Sequence, residues 1–587
     1  MNKIFNKFRS LANFYKILYE LTCQINNIKL SYILIFLFIL IFSAFFEISL
    51  LAFLYVLIKA FMDPNYYQGN FFFKYFFQIL EIKNNSQLIL YLSSFFIITC
   101  LIAGIFRLFF LYQISRYVYF FGKNITSMCY QRMIYQDYKS LFTKNTNDAL
   151  SIFQKMPIVN NGFYNTLLMI YNFVTFVFIL LILSYINFQI TISATLFFIA
   201  IYLLVILIFK KRIFSNAFII SNEQSTNIKI ARETFNGFRD ILINNYQNFY
   251  NNLFSKSYSK LIRGGEENRF MVSAPRPIIE TFLLASIGII ISLNSDNYSS
   301  LEKLLPIITV IGVASQRILP ILNQLYAGHM SNVDATPATN FILNFLSKPL
   351  IFSNRKKIKP IKFEGKISLK NVAFSYSSTN EVMILKDINL DIKSGSRIGI
   401  MGKSGSGKST LADLILGLLS PTSGNILVDG KSITNKKQDW YANVASVPQN
   451  IFITEQSIAE NIAFGKEKNK IKLSEVKDAA KKAQIANFIE SRKNKYHNLI
   501  GEKGLKISSG QKQRLAIARA LYKKSKLIIF DEATNSLDAD AEKNILKTIF
   551  SLDKKNHTLI LISHKLSNLT KCDKIYKVHN SKIFKVK

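Results

Sequence analysis

The chain has 587 residues, half of them hydrophobic, and a formal net charge of +37. Its length excludes a single small domain, and its scattered lysines, with no recognisable nucleic-acid-binding module, argue against a nucleic-acid partner. The four cysteines form no C-x-x-C pair, which argues against a metal-cysteine site or a disulfide framework.

Residues 1–30 are basic and carry Phe5, Phe8, Leu11 and Tyr15 at helical spacing, without an evident cleavable signal peptide. This pattern predicts an amphipathic helix on the cytoplasmic membrane surface. Basic flanks beside an anionic lipid leaflet also account for part of the positive charge.

Residues 31–346 carry long apolar runs and form the predicted transmembrane domain. Six runs are long enough to cross a bilayer: 31–61, 86–120, 160–186, 189–209, 271–293 and 303–325. Two polar stretches between them, 122–159 and 210–270, are also helical in pattern, and the aromatic segment 62–85 predicts a short interfacial helix.

A basic, proline-containing linker is predicted at 347–363, and the remainder, 364–587, alternates strand-like and helix-like segments. That alternation is typical of an α/β domain. Within it, a glycine-rich loop follows the apolar strand-like run 397–401 and precedes the apolar helix-like run 411–416. The loop consists of Gly402, Lys403, Ser404, Gly405, Ser406, Gly407, Lys408, Ser409 and Thr410.

A strand, a G-x-x-x-x-G-K-S loop and a helix in this order predict a phosphate-binding loop, or P-loop. Backbone N–H groups of such a loop hold phosphate oxygens, assisted by the helix N-terminus. Lys408 would reach the β- and γ-phosphates of ATP, and Ser409 would bind Mg²⁺.

A second informative stretch is the apolar run 527–530, which ends in Asp531 and Glu532. The run predicts a buried strand that presents two carboxylates at its end. Asp531 would hold Mg²⁺ through water, and Glu532 would polarise the attacking water.

An even number of spans places both chain ends on one side of the membrane, and ATP makes that side cytoplasmic. Basic clusters at 210–212 and 355–357 fall on the same side, as the positive-inside rule expects. The sequence therefore predicts a multi-pass protein of the cytoplasmic membrane with a cytoplasmic ATPase domain.

The segment Ile507-Ser508-Ser509-Gly510-Gln511 resembles the L-S-G-G-Q signature of the ABC transporter ATPases. The resemblance extends over the whole C-terminal domain. It implies that Ser508, Gly510 and Gln511 belong to an ATP site in which the signature of one subunit closes over the P-loop of the other.

Five further motifs carry the resemblance. It implies that Tyr376 stacks on adenine, that Gln449 links Mg²⁺ to the membrane domain, and that His564 contacts the γ-phosphate. The runs 535–538 and 501–504 resemble the D-loop and an exporter-type motif.

Two positions depart from the family pattern. Ser509 replaces a signature glycine, and Lys565 replaces the usual arginine after the histidine. A positive φ at Ser509 would cost of order 1 kcal/mol. We therefore expect an active ATPase that could be slower.

The resemblance implies an exporter-type fold with a six-span α-helical transmembrane domain and an α/β P-loop nucleotide-binding domain. One copy of each is half a transporter, so a homodimer is the economical completion, and a heterodimer remains an alternative. Residues 235–240 resemble the coupling helix of such exporters, and residues 138–149 are the candidate first coupling segment.

Three arginines are candidate substrate ligands: Arg107, Arg276 and Arg317 fall in the cytoplasmic half of the predicted spans. Ionisable groups inside a span are functional candidates by default. Arginines of this kind could bind a phosphate group through forked hydrogen bonds. The alternative is structural ion pairing, for example between Arg276 and Glu280.

Local stretches around Glu47, Arg107, Arg276 and Arg317 also resemble the PglK-type lipid-linked oligosaccharide flippases of the bacterial inner membrane. In that family such arginines are thought to bind the pyrophosphate of a polyprenyl-linked glycan. Gln324 departs from its pattern. A general lipid, drug or peptide exporter is the second hypothesis, and a membrane-anchored regulatory ATPase is the third.

Overall fold

A computed structural model gives the fold of residues 20–22, 30–62, 85–139, 146–186, 188–293, 298–347, 358–376, 382–501, 507–534 and 539–587. Most of the predicted N-terminal and interfacial helices, much of the linker, the D-loop and residues 502–504 lie outside these ranges. Some side chains within the helices, that of Arg317 among them, are also outside the description.

Contacts divide the chain into two compact units. The helical unit comprises Met1–Tyr135 and Lys144–Leu350, and the α/β unit comprises Gln136–Thr143 and Ile351–Lys587. The short segment 136–143 therefore belongs by its contacts to the α/β unit, although it lies between helices of the other unit in the sequence.

Eight helices are described in the helical unit. They are α1 (Leu30–Met62), α2 (Asn85–Ile134), α3 (Thr146–Ile186), α4 (Phe188–Asn236), α5 (Phe238–Ile243), α6 (Gln247–Ser273), α7 (Pro275–Leu293) and α8 (Tyr298–Leu346). Each of the six predicted spans lies within or largely within one of them.

Several of these helices are longer than a membrane is thick. The 50 residues of α2 extend ~75 Å at ~1.5 Å per residue, whereas the hydrocarbon core measures ~30 Å. Three helices in the described part of the chain are long and apolar enough to cross a membrane, over 34–54, 86–134 and 150–185. The predicted polar stretches are therefore largely helical extensions of the apolar runs.

Aromatic and aliphatic side chains join α1, α2 and α3. Phe36 and Phe110 are buried with ring centroids 5.7 Å apart, and Phe110 stacks on Tyr171 at 4.3 Å. Such aromatic pairs contribute about 0.5–1.5 kcal/mol beyond the burial of their area.

Polar side chains connect the helical extensions. Asn332 on α8 donates to Thr166 on α3 at 3.0 Å. Asn268 on α6 accepts from Asn216 on α4 at 3.0 Å and donates to Asp334 on α8 at 2.8 Å. Because buried polar groups cost free energy when they lack partners, these bonds favour one packing of α4, α6 and α8.

The predicted fifth span begins later than expected. Met271 to Ser273 end α6, and a new helix, α7, begins at Pro275. Proline lacks an N–H and fits the first helical turn better than a helix interior. This explains why the run of apolar residues does not form one continuous helix.

The α/β unit contains ten strands among its described residues: β1 (Lys366–Phe374), β2 (Leu385–Lys393), β3 (Arg397–Met401), β4 (Ser423–Val428), β5 (Lys431–Ser432), β6 (Val444–Val447), β7 (Leu527–Asp531), β8 (Thr558–Ile562), β9 (Lys574–His579) and β10 (Lys582–Lys585). An antiparallel sheet has the order β2-β1-β4-β5, and a second sheet has the order β10-β9-β3-β8-β7-β6. In the second sheet β9, β3, β8, β7 and β6 are parallel.

The principal helices of this unit are α9 (Lys408–Ile415), α10 (Lys437–Tyr441), α11 (Ile458–Ile462), α12 (Leu473–Lys482), α13 (Ala486–Glu490), α14 (Ser509–Tyr522) and α15 (Ala539–Ser551). Trp440, the sole tryptophan of the sequence, is fully buried beside α9, and its indole N–H donates to the carbonyl of Ile415 at 3.0 Å. This contact fixes the end of α9 against α10.

Asp334→Asn should stabilise the protein near neutral pH. Burial raises the pKa of Asp334 to about 6, and the hydrogen bond from Asn268 opposes the rise. Folding with a charged carboxylate therefore costs free energy above pH 6, by about 3 kcal/mol at most, and this cost disappears as the pH falls towards 4.

Thermal unfolding in detergent, followed by circular dichroism, should show a higher midpoint for Asp334→Asn at pH 7.5 and a smaller difference at pH 5. Asp478→Asn, a change at an exposed aspartate of α12, is the control. An equal gain at both pH values would contradict the titration argument.

Candidate functional site

The glycine-rich loop joins β3 to α9 as predicted. Gly405 and Gly407 have φ angles of +77° and +98°, in the region that favours glycine. A Cβ atom at Gly407 would lie 3.1 Å from the Leu385 side chain. These two residues let the loop turn sharply, so that it ends directly at the N-terminus of α9.

Lys408 is the first residue of α9 and is buried. Its Nζ donates to the carbonyls of Gly402 and Lys403 at 3.0 and 2.9 Å. The loop thus wraps around an ammonium group, while the hydroxyl of Ser406 is buried without a hydrogen-bond partner. Both features suit a loop that closes around an anion.

Asp531 is the last residue of β7 and receives a hydrogen bond from Ser409. Burial raises the pKa of Asp531, neighbouring Glu532 raises it further, and Ser409 and Lys408 oppose the rise. Asp413 lies nearby, and its pKa is raised to about 6 by burial and by Asp531. The site therefore concentrates carboxyl groups around one serine hydroxyl and one ammonium group.

Glu532 follows the strand with a φ of +51°. Left-handed backbone costs a residue with a side chain about 1 kcal/mol. Its backbone N–H donates to the carbonyl of Ile562, and its carboxylate accepts from Gln449 Nε2 at 3.2 Å. The structure thus brings together two predicted site residues that lie 83 positions apart.

His564 lies two residues beyond β8, the strand between β3 and β7. The N–H of Ser563 donates to the carbonyl of Ile400 at 3.1 Å, and the side chain of His564 is exposed. Parallel strands place their carboxyl ends at one edge of a sheet, so His564, the P-loop and Glu532 share that edge.

Tyr376 lies just beyond β1, and its hydroxyl is 3.3 Å from that of Thr410. Lys139 donates to the carbonyl of Ser375 at 3.2 Å, and Asp137 pairs with Lys437 at 3.5 Å. Tyr138 is half-buried, and burial, Asp413 and Tyr376 raise its pKa. The described part of the predicted first coupling segment thus packs beside the tyrosine assigned to adenine; its coupling role stays a prediction.

The signature residues form the start of α14. Ser508 is the N-cap, its side chain accepts from the N–H of Gln511 at 3.3 Å, and the Gln511 side chain accepts from the N–H of Ser508 at 2.9 Å. Gly510 lies in the first turn. Within the described residues, no hydrogen bond or ion pair connects these three residues to the P-loop.

The expectation of a strained backbone at Ser509 is wrong. Ser509 is the first helical residue of α14 and has no positive φ. Serine is readily accommodated in the first turn of a helix, so its Cβ brings no conformational cost. The physical reason for expecting a slower ATPase is therefore removed.

Two of the three candidate substrate arginines pair with carboxylates. Arg107 Nη1 lies 3.7 Å from Glu47, which also accepts from the hydroxyl of Tyr171 at 2.5 Å. Arg276 Nε donates to Glu280 at 2.7 Å, as its i,i+4 spacing predicted. Both arginine side chains remain about half exposed. The side chain of Arg317 lies outside the described residues.

Some site features were not found from the sequence. The partnership of Glu47 with Arg107 joins different helices and has no local signal. Asp413 lies one helical turn beyond Ser409, and that spacing could have shown it to be near the serine that is predicted to bind Mg²⁺. Glu542 contacts the residue after His564, and its position early in α15 was the available signal.

The donor set fits ATP with Mg²⁺. Mg²⁺ prefers oxygen ligands and keeps several of its waters, and Ser409, Asp531 and Gln449 supply oxygen atoms at the sheet edge. The described residues contain no group of three or more histidine, cysteine, aspartate or glutamate side chains that could bind a metal ion without a nucleotide.

Residues 385–535 match the ABC transporter family model. A 226-residue segment is 39% identical to human ATP-binding cassette sub-family B member 5 and covers 38% of this chain but only 18% of that protein. An ATP-dependent lipid A-core flippase of Photorhabdus laumondii is 31% identical over 386 residues, 65% of each chain.

The fold also resembles that of a bacterial Atm1-family ABC exporter solved with ATP bound. The TM-score is 0.74 with 18% identity, and the alignment covers 95% of both chains. The chain therefore has a fold similar to that of this exporter, and residues 385–535 of its α/β unit match the ABC transporter family model.

Proposed function

We propose that the protein is a half-size ABC exporter that hydrolyses ATP to move a lipid-type substrate across a membrane. The observation that carries the proposal is the meeting of Lys408, Ser409, Asp531, Glu532 and Gln449 at one edge of the parallel sheet. Apolar helices long enough to cross a membrane belong to the same chain.

In the proposed reaction, the P-loop amides and Lys408 bind the β- and γ-phosphates. Glu532 accepts a proton from water as the water oxygen attacks the γ-phosphorus, and the bond to the β-phosphate oxygen breaks to release ADP. Gln449 orients the Glu532 carboxylate through the bond at 3.2 Å. Bound Mg²⁺ would neutralise phosphate charge, and Ser409, Gln449 and, through water, Asp531 would hold it.

Glu532→Gln should abolish turnover and leave ATP binding intact, because the amide cannot accept the proton from water. We expect the hydrolysis rate to fall at least 100-fold, with an ATP dissociation constant within about three-fold of the native value. Phosphate release and nucleotide binding by the purified protein in detergent measure the two quantities.

Glu475→Gln is the matched control, because Glu475 lies in the same unit, pairs with Lys524, and is remote from the proposed chemistry. Hydrolysis by the Glu532 variant at a near-native rate would remove Glu532 from its assigned role.

We further propose that two copies assemble, with the α5 region of one copy docking on the α/β unit of the other. The end of α4 and the helix α5 together form a tip with four apolar side chains that are 46–76% exposed. They are Phe235, Phe238, Leu242 and Ile243. Exposed clusters of this kind are characteristic of interaction surfaces.

The α/β unit offers a complementary groove of about 500 Å³. Leu416, Ile462 and Phe464 line the groove, with Phe464 half exposed and the other two buried. Lys466 and Lys523 lie at the same groove. The N–H groups of Arg519 hold the carbonyls of Phe452 and Asn461 beside it. A heterodimeric partner with a similar tip would fit the groove in the same way.

Phe238→Asp and Phe464→Asp should each weaken dimerisation and reduce ATP hydrolysis at least five-fold, because each introduces a charge into the proposed apolar contact. Size-exclusion chromatography with light scattering measures the assembly. Phe584→Asp, which alters a half-exposed phenylalanine of β10, is the control. Native assembly and hydrolysis in both tip and groove variants would contradict the docking.

For the substrate, we propose an amphipathic lipid with a phosphate or pyrophosphate group, such as a polyprenyl-pyrophosphate-linked oligosaccharide. Arg107 and Arg276 remain half exposed although each has a carboxylate partner. A phosphate would compete with Glu47 and Glu280 for these guanidinium groups, since both partners are anions with matching oxygen spacing. The flippase similarity supports a lipid-type cargo.

The ion pairs themselves favour a second candidate, a general lipid or drug exporter in which the arginines only stabilise the helices. The two hypotheses differ in what removal of the carboxylate does. A phosphate-binding Arg276 should bind substrate better without Glu280, whereas a structural pair should fail when either member is lost.

Arg276→Ala should therefore reduce flipping of a lipid-linked glycan at least ten-fold, since a charge-assisted hydrogen bond contributes about 1.5–3 kcal/mol. Glu280→Gln should keep or increase flipping. Arg107→Ala and Glu47→Gln form the parallel pair. The assay uses proteoliposomes, with basal ATP hydrolysis measured alongside.

Arg276→Lys should restore only part of the activity, because lysine keeps the charge and loses the fork. Equal losses in the arginine and glutamate variants, repaired by the exchange Arg276→Glu with Glu280→Arg, would show a structural pair and favour the general exporter.

A further inference from the structure

A partly buried carboxylate outside the proposed reaction contacts the segments that follow β7 and β8 at the proposed catalytic edge of the sheet. Glu542 lies in the first turn of α15 with its side chain 13% exposed. Its Oε2 accepts from Lys565 Nζ at 3.1 Å, and its Oε1 accepts from Asn568 Nδ2 at 2.8 Å. Thr534 also hydrogen-bonds to this carboxylate.

The partners of Glu542 are close in sequence to two proposed catalytic residues. Thr534 is two residues beyond Glu532, and Lys565 directly follows His564. Asn568 and Thr534 are both more than nine-tenths buried. One side chain therefore connects the segment after β7 to the segment after β8.

The bonds around Glu542 favour its charged form. Burial alone would raise the pKa of Glu542, but hydrogen bonds from Thr534, Lys565 and Asn568 outweigh burial and lower it. At neutral pH the group is thus a carboxylate, which makes the contact with Lys565 an ion pair. The N–H of Lys565 also donates to Ser563 at 3.1 Å, so the turn that contains His564 is held from both sides.

The same contact accounts for the lysine at position 565. An arginine could reach both oxygens of a carboxylate with its fork, whereas lysine is a point charge. Here Lys565 takes one oxygen of Glu542 and Asn568 takes the other. Two side chains together satisfy the carboxylate, so the departure from arginine leaves no oxygen of Glu542 without a donor.

We propose that Glu542 is a positioning residue for ATP hydrolysis, which holds the His564 turn and the Glu532 segment in a fixed relation. This inference rests on the proposed ATPase function. The Glu542 carboxylate is engaged by Thr534, Lys565 and Asn568, so its effect on the rate passes through the His564 turn and not through proton transfer of its own.

The test is a double-mutant cycle on the full-length protein in detergent. Glu542→Gln keeps the shape and the acceptor oxygen for Asn568 but loses the charge that holds Lys565. We expect kcat to fall about ten-fold with the KM for ATP within two-fold. In the His564→Ala background the same change should alter kcat less than two-fold, because the residue that it positions is already absent.

Lys565→Met and Lys565→Arg provide the independent arm. Lys565→Met removes the cation of the ion pair and should lower kcat as much as Glu542→Gln does. Lys565→Arg keeps the ion pair and should retain the native kcat. Glu475→Gln is the matched control, since the Glu475–Lys524 pair has the same 3.1 Å separation in the same unit and should leave kcat unchanged.

Fluorescence of Trp440 during thermal unfolding separates positioning from folding. The inference would be overturned if the fall in kcat came with an equal loss of ATP binding and of thermal stability. It would also be overturned if Glu542→Gln lowered kcat as much in the His564→Ala background as in the native protein. Native kcat in Glu542→Gln would overturn it as well. If the native protein hydrolyses no ATP, the proposed function itself fails, and the two failures are thus distinguished.

Discussion

Parallel pairing of β3, β8 and β7 is the constraint on which the proposed catalytic centre depends. The three strands come from distant parts of the chain, and Gly399 pairs with Leu561 while Ile529 pairs with Ile560. Because the strands run in one direction, the segments that follow them emerge at one edge. Backbone hydrogen bonds between these strands are sufficient to place the P-loop, the acidic pair and the histidine turn together, without any contact between their side chains.

The same edge combines opposed electrostatic demands. Lys408 is buried among loop carbonyls, and Asp531 is a partly buried acid with another acid beside it. Such groups are costly without partners, and the protein supplies short polar contacts to each. A nucleoside triphosphate would place its anionic phosphates beside Lys408, and its Mg²⁺ would place cationic charge beside the acids.

Local pattern was sufficient to predict the P-loop, the strand that ends at Asp531 and the helical character of the long polar stretches. In each case the signal lies within a window of one element. The S-x-x-Q spacing of Ser508 and Gln511 also carried a capping-box signal, and it would have placed Ser509 in a helix rather than in a strained loop.

Contacts between elements could not be predicted in this way. Glu47 and Arg107 are on different helices, as are Asn268 and Asp334. The hydrophobic periodicity of a helix shows which of its faces is buried, but not which polar residue of another helix lies opposite that face. The bond between Gln449 and Glu532 likewise depends on strand order, which a single sequence does not specify. The start of α7 differed from prediction because Pro275 interrupts an otherwise continuous apolar pattern.

The uninterrupted length of α2, 50 residues without a proline, has a mechanical consequence. An α-helix resists bending because every turn would have to break or stretch hydrogen bonds, and sharp bends occur mostly at prolines or where a helix is interrupted. Bending of the described helices is therefore cheapest at the prolines inside α3 and α8 and at the breaks at Gly237 and Ala274. The helix α2 acts as a stiff lever, and the hinges of any transport cycle are expected at those positions.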